Sequence, residues 1–323
     1  MSTGVYLAAY LAPLRDWLDR PDVTDIWVNR PGEVWIETTG GATSRVAAPE
    51  LSDQALQRLA RQIAAASHQG VSREQPLLSA SLPDGARVQI IAPPATRGDL
   101  ALAIRKHTLS DLSLSDLAVS GTLATPADAG RTDGDAALRV RLDNGDIEGF
   151  LRAAVKARKT IVLSGGTSSG KTTLLNALVK EIPPHERLVL IEDAPEIQLR
   201  HENAVGLIAA RSETGEAQVD AEDLLQASLR MRPDRILLGE LRGREAFAFL
   251  RAVNTGHPGS ITTVHADSPQ GALDQIALLS LLAGVDLGWD TVRNYVRQVV
   301  DVVVQLNRVE GARKVTAVEM LSR

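Results

Sequence analysis

The sequence predicts an α/β protein in which a largely parallel sheet follows a smaller α+β domain. Two patterns predict it: short apolar strands alternate regularly with helices after residue 147, and strand and helix patterns mix less regularly before residue 120. The 323 residues suffice for two domains of roughly 150 residues each. Between the two patterns lies a stretch rich in Gly, Ala, Asp and Thr. We therefore predict an N-terminal domain over 1–120, a flexible linker over 121–136 and a second domain over 137–323.

The N-terminal part contains two hairpin patterns with one helix pattern between them. Residues 22–37 alternate around the turn Asn29–Gly32, which predicts two strands. Apolar residues recur at helical spacing over 51–64. A second hairpin is predicted from strands at 87–92 and 100–105. This mixture predicts an α+β domain.

The second domain shows strand and helix patterns that alternate. The predicted strands are 160–163, 188–191, 205–209, 236–238 and 261–264, and the predicted helices are 147–155, 171–180, 223–231, 245–253 and 271–282. Such alternation predicts a parallel sheet covered by helices. Two further segments, 299–304 and 314–320, are predicted to close the sheet as edge strands.

A glycine-rich turn joins the first strand of this domain to its next helix. Its sequence matches the phosphate-loop pattern G-x-x-x-x-G-K-[ST] in the required strand–loop–helix context. The predicted nucleotide-binding residues are Gly165, Gly166, Thr167, Ser168, Ser169, Gly170, Lys171, Thr172 and Thr173. Lys171 is expected to reach the β- and γ-phosphates and the Thr172 hydroxyl to complete a magnesium shell, so ATP and Mg²⁺ are the predicted ligands.

Carboxylates follow two other predicted strands of the same sheet. Glu192 directly follows the strand 188–191. Glu240 comes two residues after the strand 236–238, and Gly239 between them occupies the usual aspartate position. We predict that Glu240 holds the magnesium and that Glu192 polarises the attacking water, although the two roles can be exchanged. An acidic residue at a strand end can also be only a helix cap or a solvated charge.

A histidine follows the strand 261–264, at the sheet edge where α/β folds bind ligands. We predict that His265 hydrogen-bonds a phosphate oxygen and senses the loss of the γ-phosphate. His257, in the Gly/Pro turn before the strand, is equally consistent with a structural role.

Two arginines face each other in the second N-terminal hairpin. With its loop centred on Thr96, Arg87 lies opposite Arg105 on the same side. Like charges so placed destabilise a hairpin by roughly a few tenths of a kcal/mol or more unless something neutralises them. We predict that they stabilise the γ-phosphate of the bound nucleotide as arginine fingers do. Screening by carboxylates or water is the alternative.

Composition excludes several classes of protein. The net charge of −5 disfavours stable direct nucleic-acid binding, and the absence of cysteine excludes disulfides and Cys-ligated zinc. No apolar run reaches the ~18 residues of a membrane span. The apolar patch at Tyr6–Leu14 lacks the flanking features of a signal peptide. We therefore predict a cytoplasmic protein whose membrane contact is peripheral.

Several segments together resemble the type IV secretion (VirB-type) traffic ATPases. They are the strand-end and histidine region 224–268, the acidic box 191–196, and the N-terminal segments 77–88 and 103–106. The resemblance implies a homo-hexameric ring with a RecA-like P-loop ATPase domain and nucleotide at the domain interface. It also implies attachment to the inner-membrane secretion channel and coupling proteins, and roles in conjugation, export and pilus assembly. Arg87 and Arg105 fall where that family has its N-terminal arginines.

Three alternatives remain. The ATPases of type II secretion and type IV pili are usually longer, and many carry a four-cysteine insertion that this chain lacks. A nucleotide-gated scaffold with little turnover is a second alternative, against which Glu192 and Glu240 argue. A small-molecule P-loop kinase ranks last, because no acceptor site is evident.

Overall fold

The chain folds around two β-sheets, described here from a computed structural model. The structure describes residues 3–106, 113–119, 131–210 and 215–321. One sheet has six strands in the order β3-β2-β1-β6-β5-β4, and the other has seven in the order β13-β12-β7-β11-β10-β8-β9. The division into an α+β part followed by a largely parallel α/β part is confirmed.

The six-stranded sheet belongs to the N-terminal part. Its strands are β1 (Val23–Val28), β2 (Gly32–Thr38), β3 (Thr43–Ala48), β4 (Leu77–Ser81), β5 (Arg87–Ile91) and β6 (Ala101–Arg105), and the helices before and beside it are α1 (Thr3–Leu11), α2 (Arg15–Leu18) and α3 (Asp53–Ala66). Each described pairing in this sheet is antiparallel. Both predicted hairpins form, and Arg87 pairs with Arg105 in the predicted register.

The seven-stranded sheet belongs to the second part. Its strands are β7 (Ile161–Gly165), β8 (Leu188–Glu192), β9 (Ala204–Ile208), β10 (Arg235–Leu238), β11 (Ile261–Val264), β12 (Val302–Val309) and β13 (Ala312–Met320). The helices after β6 are α4 (Leu114–Val119), α5 (Arg131–Asp143), α6 (Ile147–Lys156), α7 (Lys171–Val179), α8 (Ala221–Ser228), α9 (Glu245–Asn254), α10 (Pro269–Leu282) and α11 (Trp289–Val299).

One of the two predicted edge strands, 299–304, does not lie at an edge. Strand β12 pairs in parallel with β7 on one side and antiparallel with β13 on the other, so it is not an edge strand. The edges are β13 and β9. The remaining described pairings are parallel. Since the carboxyl ends of parallel strands meet at one edge of a sheet, the turns after β7, β8, β10 and β11 converge there.

The predicted flexible linker overlaps a helix. Residues 131–136 lie in α5, so this end of the linker is not irregular chain, and residues 120–130 lie outside the described part of the chain. None of the helices within the described ranges combines the length and apolarity needed to cross a membrane.

The N-terminal sheet uses its two faces differently. One face packs against α3 and buries an aliphatic core that includes Ile26, Ile36 and Leu59. The other face contributes Trp27 and Trp35 to a cluster shared with the second part of the chain. The domains therefore meet through an apolar face, and burial of two tryptophans there is a large hydrophobic contribution.

Candidate functional site

A cavity of about 430 Å³ opens at the carboxyl ends of β8, β10 and β11, beside the loop that joins β7 to α7. Most predicted site residues line it: Thr167, Ser168, Ser169, Gly170, Lys171, Thr172, Thr173, Glu192, Glu240 and His265. Polar groups from separate turns of one sheet therefore converge on one space. This is the arrangement expected of a ligand site in an α/β fold.

The loop conformation depends on its glycines. Gly170 has φ +102°, in the left-handed region, and helix α7 begins at the next residue. A Cβ added at Gly165 would lie 2.4 Å from the backbone oxygen of Leu306, because β12 passes directly beside the loop. The loop can therefore turn tightly and direct the N-terminus of α7 at the cavity, where its dipole favours an anion.

Lys171 and Ser169 present polar groups to the same space. The Lys171 ammonium donates to the backbone oxygens of Gly165 at 2.7 Å and Gly166 at 3.1 Å. Burial lowers the pKa of Lys171, and the nearby Glu240 carboxylate opposes this shift. The Ser169 hydroxyl is buried and has no hydrogen-bond partner within the described residues. A phosphate would supply what both groups need, so these residues fit a nucleotide.

Glu240 lies between a histidine and an arginine side chain. Its Oε1 lies 2.6 Å from His265 Nε2, and its Oε2 accepts from Arg242 Nε at 2.6 Å. Arg242 Nη1 also donates to Asp193 Oδ2 at 2.7 Å. One network therefore links the turns that follow β8, β10 and β11. Arg242 was not among the predicted site residues, although its position two residues after Glu240 could have indicated it.

Glu192 is buried and fully engaged. Its Oε1 accepts from the backbone N–H groups of Glu196 at 3.1 Å and Ile197 at 2.9 Å, and its Oε2 forms an ion pair with Arg97 of the N-terminal part. A Cβ added at Gly239 would lie 3.3 Å from Glu192 Cγ. An aspartate at that position would therefore make a tight contact with the Glu192 side chain.

The described residues offer single oxygen ligands for a metal ion but not a complete set of protein ligands. Among the described residues, no group of three or more His, Asp or Glu side chains is arranged to hold a metal ion. Thr172 Oγ1 lies 3.4 Å from Glu196 Oε2, and Glu240 lines the same cavity. Magnesium commonly takes one or two protein ligands and completes its shell with phosphate oxygens and water. The predicted pair Thr172 and Glu240 fits that pattern.

The two predicted arginines do not reach this cavity within the chain. Arg87 and Arg105 line a different cavity of about 500 Å³, together with Arg230 from the second part of the chain. Arg105 Nε lies 3.0 Å from Asp25 Oδ1, so a carboxylate screens one of the two, as the alternative interpretation required. Arg87 has no such partner in the described part of the chain.

Two other side chains are distinguished by their contacts and not by a sequence motif. Arg313 comes from β13, far along the chain, and lies against Gly170 of the phosphate loop. No motif in the sequence indicated it. His257, in contrast, is half-buried with Nδ1 3.0 Å from the backbone oxygen of Pro233, and burial lowers its pKa. Its contacts are those of a structural histidine.

Comparison with known proteins places this architecture in a family. The model of the family described as type II/IV secretion system protein matches residues 8–310. The chain belongs to this family. Among its members, the type IV secretion system protein VirB11 of Bartonella quintana is 39% identical over 324 residues, covering 95% of this chain and 91% of that protein. The type IV secretion system protein PtlH of Bordetella pertussis is 43% identical over 315 residues, covering 94% and 92%.

A solved structure agrees with this family membership. The crystal structure of the VirB11 ATPase from the Brucella suis type IV secretion system, in complex with sulphate, has a TM-score of 0.92 and 39% sequence identity to this chain. The match covers 98% of this chain and 95% of that one. Both the fold and the predicted resemblance to type IV secretion traffic ATPases are therefore confirmed.

Proposed function

We propose that this chain is a Mg²⁺-dependent ATPase that powers a type IV secretion or conjugation machine, including its pilus assembly. The observation that carries the proposal is the cavity where the phosphate loop meets Glu240, Arg242 and His265. A loop alone would indicate nucleotide binding, whereas carboxylates at the neighbouring strand ends indicate hydrolysis. The VirB11 and PtlH relatives are named as type IV secretion proteins, which favours this branch over type II secretion and pilus ATPases.

The chain's own residues divide the work of binding. The glycine loop and the N-terminus of α7 would bind the phosphates through backbone N–H groups, and Lys171 would exchange its carbonyl contacts for β- and γ-phosphate oxygens. Ser169 would gain the partner that its hydroxyl needs. Magnesium, held by Thr172 and Glu240, would neutralise charge that develops on the phosphate oxygens.

Besides its proposed place beside the magnesium, Glu240 is the better candidate to orient the attacking water, the role first predicted for Glu192. Glu240 Oε1 contacts His265, a half-exposed side chain that can move aside to admit a water. Glu192 uses both oxygens within the protein. Since a general base must have an oxygen available to the water, Glu240 fits the role and Glu192 does not in this conformation. His265, beside Glu240, remains the proposed sensor of the γ-phosphate.

A ring of identical subunits would bring the arginines to the nucleotide. Arg87 and Arg105 lie in their own cavity, so within one chain they do not approach the phosphate loop. In a homo-hexamer, the N-terminal domain of one subunit can meet the phosphate loop of the next, and the pair would then act as arginine fingers in trans. Within the described residues Arg87 has no carboxylate partner, which supports a requirement for an external anion.

The proposed setting is a type IV secretion system, the system for which the relatives are named. The ring would work at the cytoplasmic face of the inner membrane, peripherally attached to the secretion channel and its coupling proteins. Stable direct nucleic-acid binding is not part of the proposal, since the net charge is −5.

The first experiment measures Mg²⁺-dependent ATP hydrolysis against protein concentration, with sedimentation of the same samples. Turnover should rise as a roughly six-fold larger particle forms. Lys171→Ala should lower it by about 100-fold or more, because a cation beside the transferred phosphoryl group is lost.

Arg61→Ala, an exposed change on α3 far from the loop, serves as the matched control and should behave as wild type. A chain that binds ATP but hydrolyses it negligibly at every concentration would instead indicate the nucleotide-gated scaffold.

A further inference from the structure

The N-terminal domain docks on the edge of the parallel sheet through its own backbone. Residues 95–97, in the loop between β5 and β6, run antiparallel to β9: Arg97 N donates to Gly206 O at 3.0 Å and Ile208 N donates to Ala95 O at 2.9 Å. Strand β9 is the edge of its sheet, so this pairing satisfies backbone groups that would otherwise be exposed. The loop is therefore fixed relative to the phosphate site.

From this docked position, the Arg97 side chain enters the second domain. Its Nη1 donates to the backbone oxygen of Ile197 at 2.8 Å, and its Nη2 pairs with Glu192 Oε2. The two side chains are 22% and 4% exposed, so the pair is largely shielded from water. A Cβ at Gly206 would lie 2.4 Å from Arg97 Cδ, so glycine there leaves the path that the side chain follows.

Glu192 passes this contact on to the turn that follows β8. Its other oxygen accepts from the backbone N–H groups of Glu196 and Ile197, which closes the turn 193–197. The turn carries Asp193, bonded to Arg242, and Glu196, next to Thr172. A continuous set of contacts therefore runs from the N-terminal domain to the proposed magnesium ligands and to the partner of Glu240.

We propose that Arg97 is a positioning residue that makes the geometry of the phosphate site depend on the docking of the N-terminal domain. It acts through Glu192, which holds the turn 193–197 in place. An arginine suits the task, because its planar fork can bond the Glu192 carboxylate and the Ile197 carbonyl at once. The effect on turnover rests on the proposed ATP hydrolysis, whereas the effect on the turn does not.

A purely stabilising role is the competing explanation, since removing one partner of a buried ion pair destabilises any fold. The chain offers a matched control in Arg232, whose Nη2 lies 2.9 Å from Glu37 Oε1 across the same domain boundary. Arg232 does not line the phosphate cavity. Comparison of Arg97→Ala with Arg232→Ala therefore separates loss of a boundary ion pair from loss of contact with the turn.

The first test is hydrogen exchange of the full-length chain without nucleotide. In Arg97→Ala and Gly206→Ala, amides in the turn 193–197 should exchange about tenfold faster or more, because Glu192 no longer holds them. Arg232→Ala should leave these amides at the wild-type rate. If the turn amides exchange equally slowly in wild type, Arg97→Ala and Gly206→Ala, the proposal is wrong, whether or not the protein hydrolyses ATP.

The second test is steady-state ATP hydrolysis. Arg97→Ala should lower kcat by about tenfold to 100-fold through small displacements at the site, with KM for ATP within about twofold of wild type. Arg97→Lys retains the charge but loses the planar fork, so its kcat should lie between those of wild type and Arg97→Ala. In a Glu192→Gln background, Arg97→Ala should change kcat by less than about twofold. Independent, multiplying losses would contradict action through Glu192.

These readouts separate two failures. If the wild-type chain does not hydrolyse ATP at any concentration, the proposed function fails, while exchange at the turn still decides the role of Arg97. If Arg97→Ala does not fold, Arg97→Lys and Gly206→Ala carry the same comparison. Thermal unfolding of every variant identifies that case.

Discussion

The phosphate-loop cavity and the cavity lined by Arg87 and Arg105 differ in how their charges are balanced. At the phosphate loop, Lys171 bonds loop carbonyls, and Arg242 lies between Glu240 and Asp193. In the N-terminal cavity, Arg87 and Arg105 are paired directly across two strands, and Asp25 contacts Arg105. Counted over the described residues, the charges are balanced in the first cavity, whereas the second carries excess positive charge.

The difference follows from where each cavity is built. The phosphate-loop cavity lies at the ends of parallel strands, so turns from the whole sheet supply both acids and bases to it. The N-terminal cavity lies beside antiparallel strands. Side chains there come mainly from the same face of neighbouring strands, so few other elements can add a carboxylate. The first can bind a ligand alone, whereas the second needs an anion from elsewhere, which we propose is a nucleotide on another subunit.

The largest loss of activity is expected when one of the two arginines is removed. Arg105→Ala, and separately Arg87→Ala, should lower turnover of the assembled protein by about 1,000-fold, as loss of an arginine finger does. Nucleotide binding by the unassembled chain should stay unchanged, because both residues lie away from its phosphate loop. Turnover and equilibrium binding of a fluorescent ATP analogue, measured below and above the assembly concentration, test both statements.

Arg61→Ala is again the control for loss of a surface cation, and it should alter neither quantity. If Arg105→Ala weakened binding equally in assembled and unassembled protein, the pair would act within its own chain. If neither variant changed turnover, the cavity would have no part in hydrolysis.

A second prediction concerns the boundary that separates the two cavities. Arg187 is fully buried there, donates to Met231 O at 2.8 Å and Asn29 Oδ1 at 2.8 Å, and lies 4.7 Å from the ring centroid of Trp27. Burial lowers its pKa to about 9, so it remains charged at neutral pH. Arg187→Met should lower the free energy of unfolding by about 2–4 kcal/mol, since buried oxygens lose their donors. Chemical denaturation measures this.

The exposed Arg200 provides the matched change: Arg200→Met should shift the midpoint little. An Arg187→Met protein as stable as wild type would mean that the other boundary contacts, among them the Arg97–Glu192 and Arg232–Glu37 ion pairs, hold the domains together without Arg187.

Sequence patterns predicted those parts of the site that are local in the chain. The phosphate loop is contiguous in the chain. A hairpin with a symmetric loop fixes its own register, so the sequence alone places Arg87 opposite Arg105. Strand β3, in contrast, is an exposed edge strand with little apolar alternation, and was missed for that reason. Helix α11 has apolar residues at 292, 296 and 299, a helical spacing that the following valine run obscured.

Contacts between distant segments could not be predicted in this way. The position of β12 inside the sheet depends on which strands pair, and chain order does not state that. Arg313 lines the phosphate cavity, and Arg97 pairs with Glu192 at its wall, yet the local sequences around the two arginines carry no motif. The roles of Glu192 and Glu240 could not be separated either, because the sequence places both at strand ends and only their partners distinguish them.

Charge balance is tested most directly by making the same change, arginine to glutamine, in both cavities, and the expected effects on stability are small. Arg87→Gln should raise the free energy of unfolding of the unassembled chain by roughly 0.2–0.5 kcal/mol, since it removes repulsion from Arg105. Arg242→Gln should lower it by about 0.5–1 kcal/mol, since Glu240 and Asp193 lose a shared cation that is itself half-exposed. Urea denaturation at low salt should therefore give opposite signs.

Salt distinguishes this explanation from changes in packing. Both effects are electrostatic at partly exposed sites, so both should shrink when the same denaturation is repeated at about 0.5 M salt. If Arg87→Gln lowered stability instead, Arg87 would have a stabilising contact within its own chain, and the N-terminal cavity would not need an external anion. If the two signs are opposite and both effects shrink with salt, the excess charge of Arg87 is retained against stability, as expected of a residue kept for a ligand that only assembly supplies.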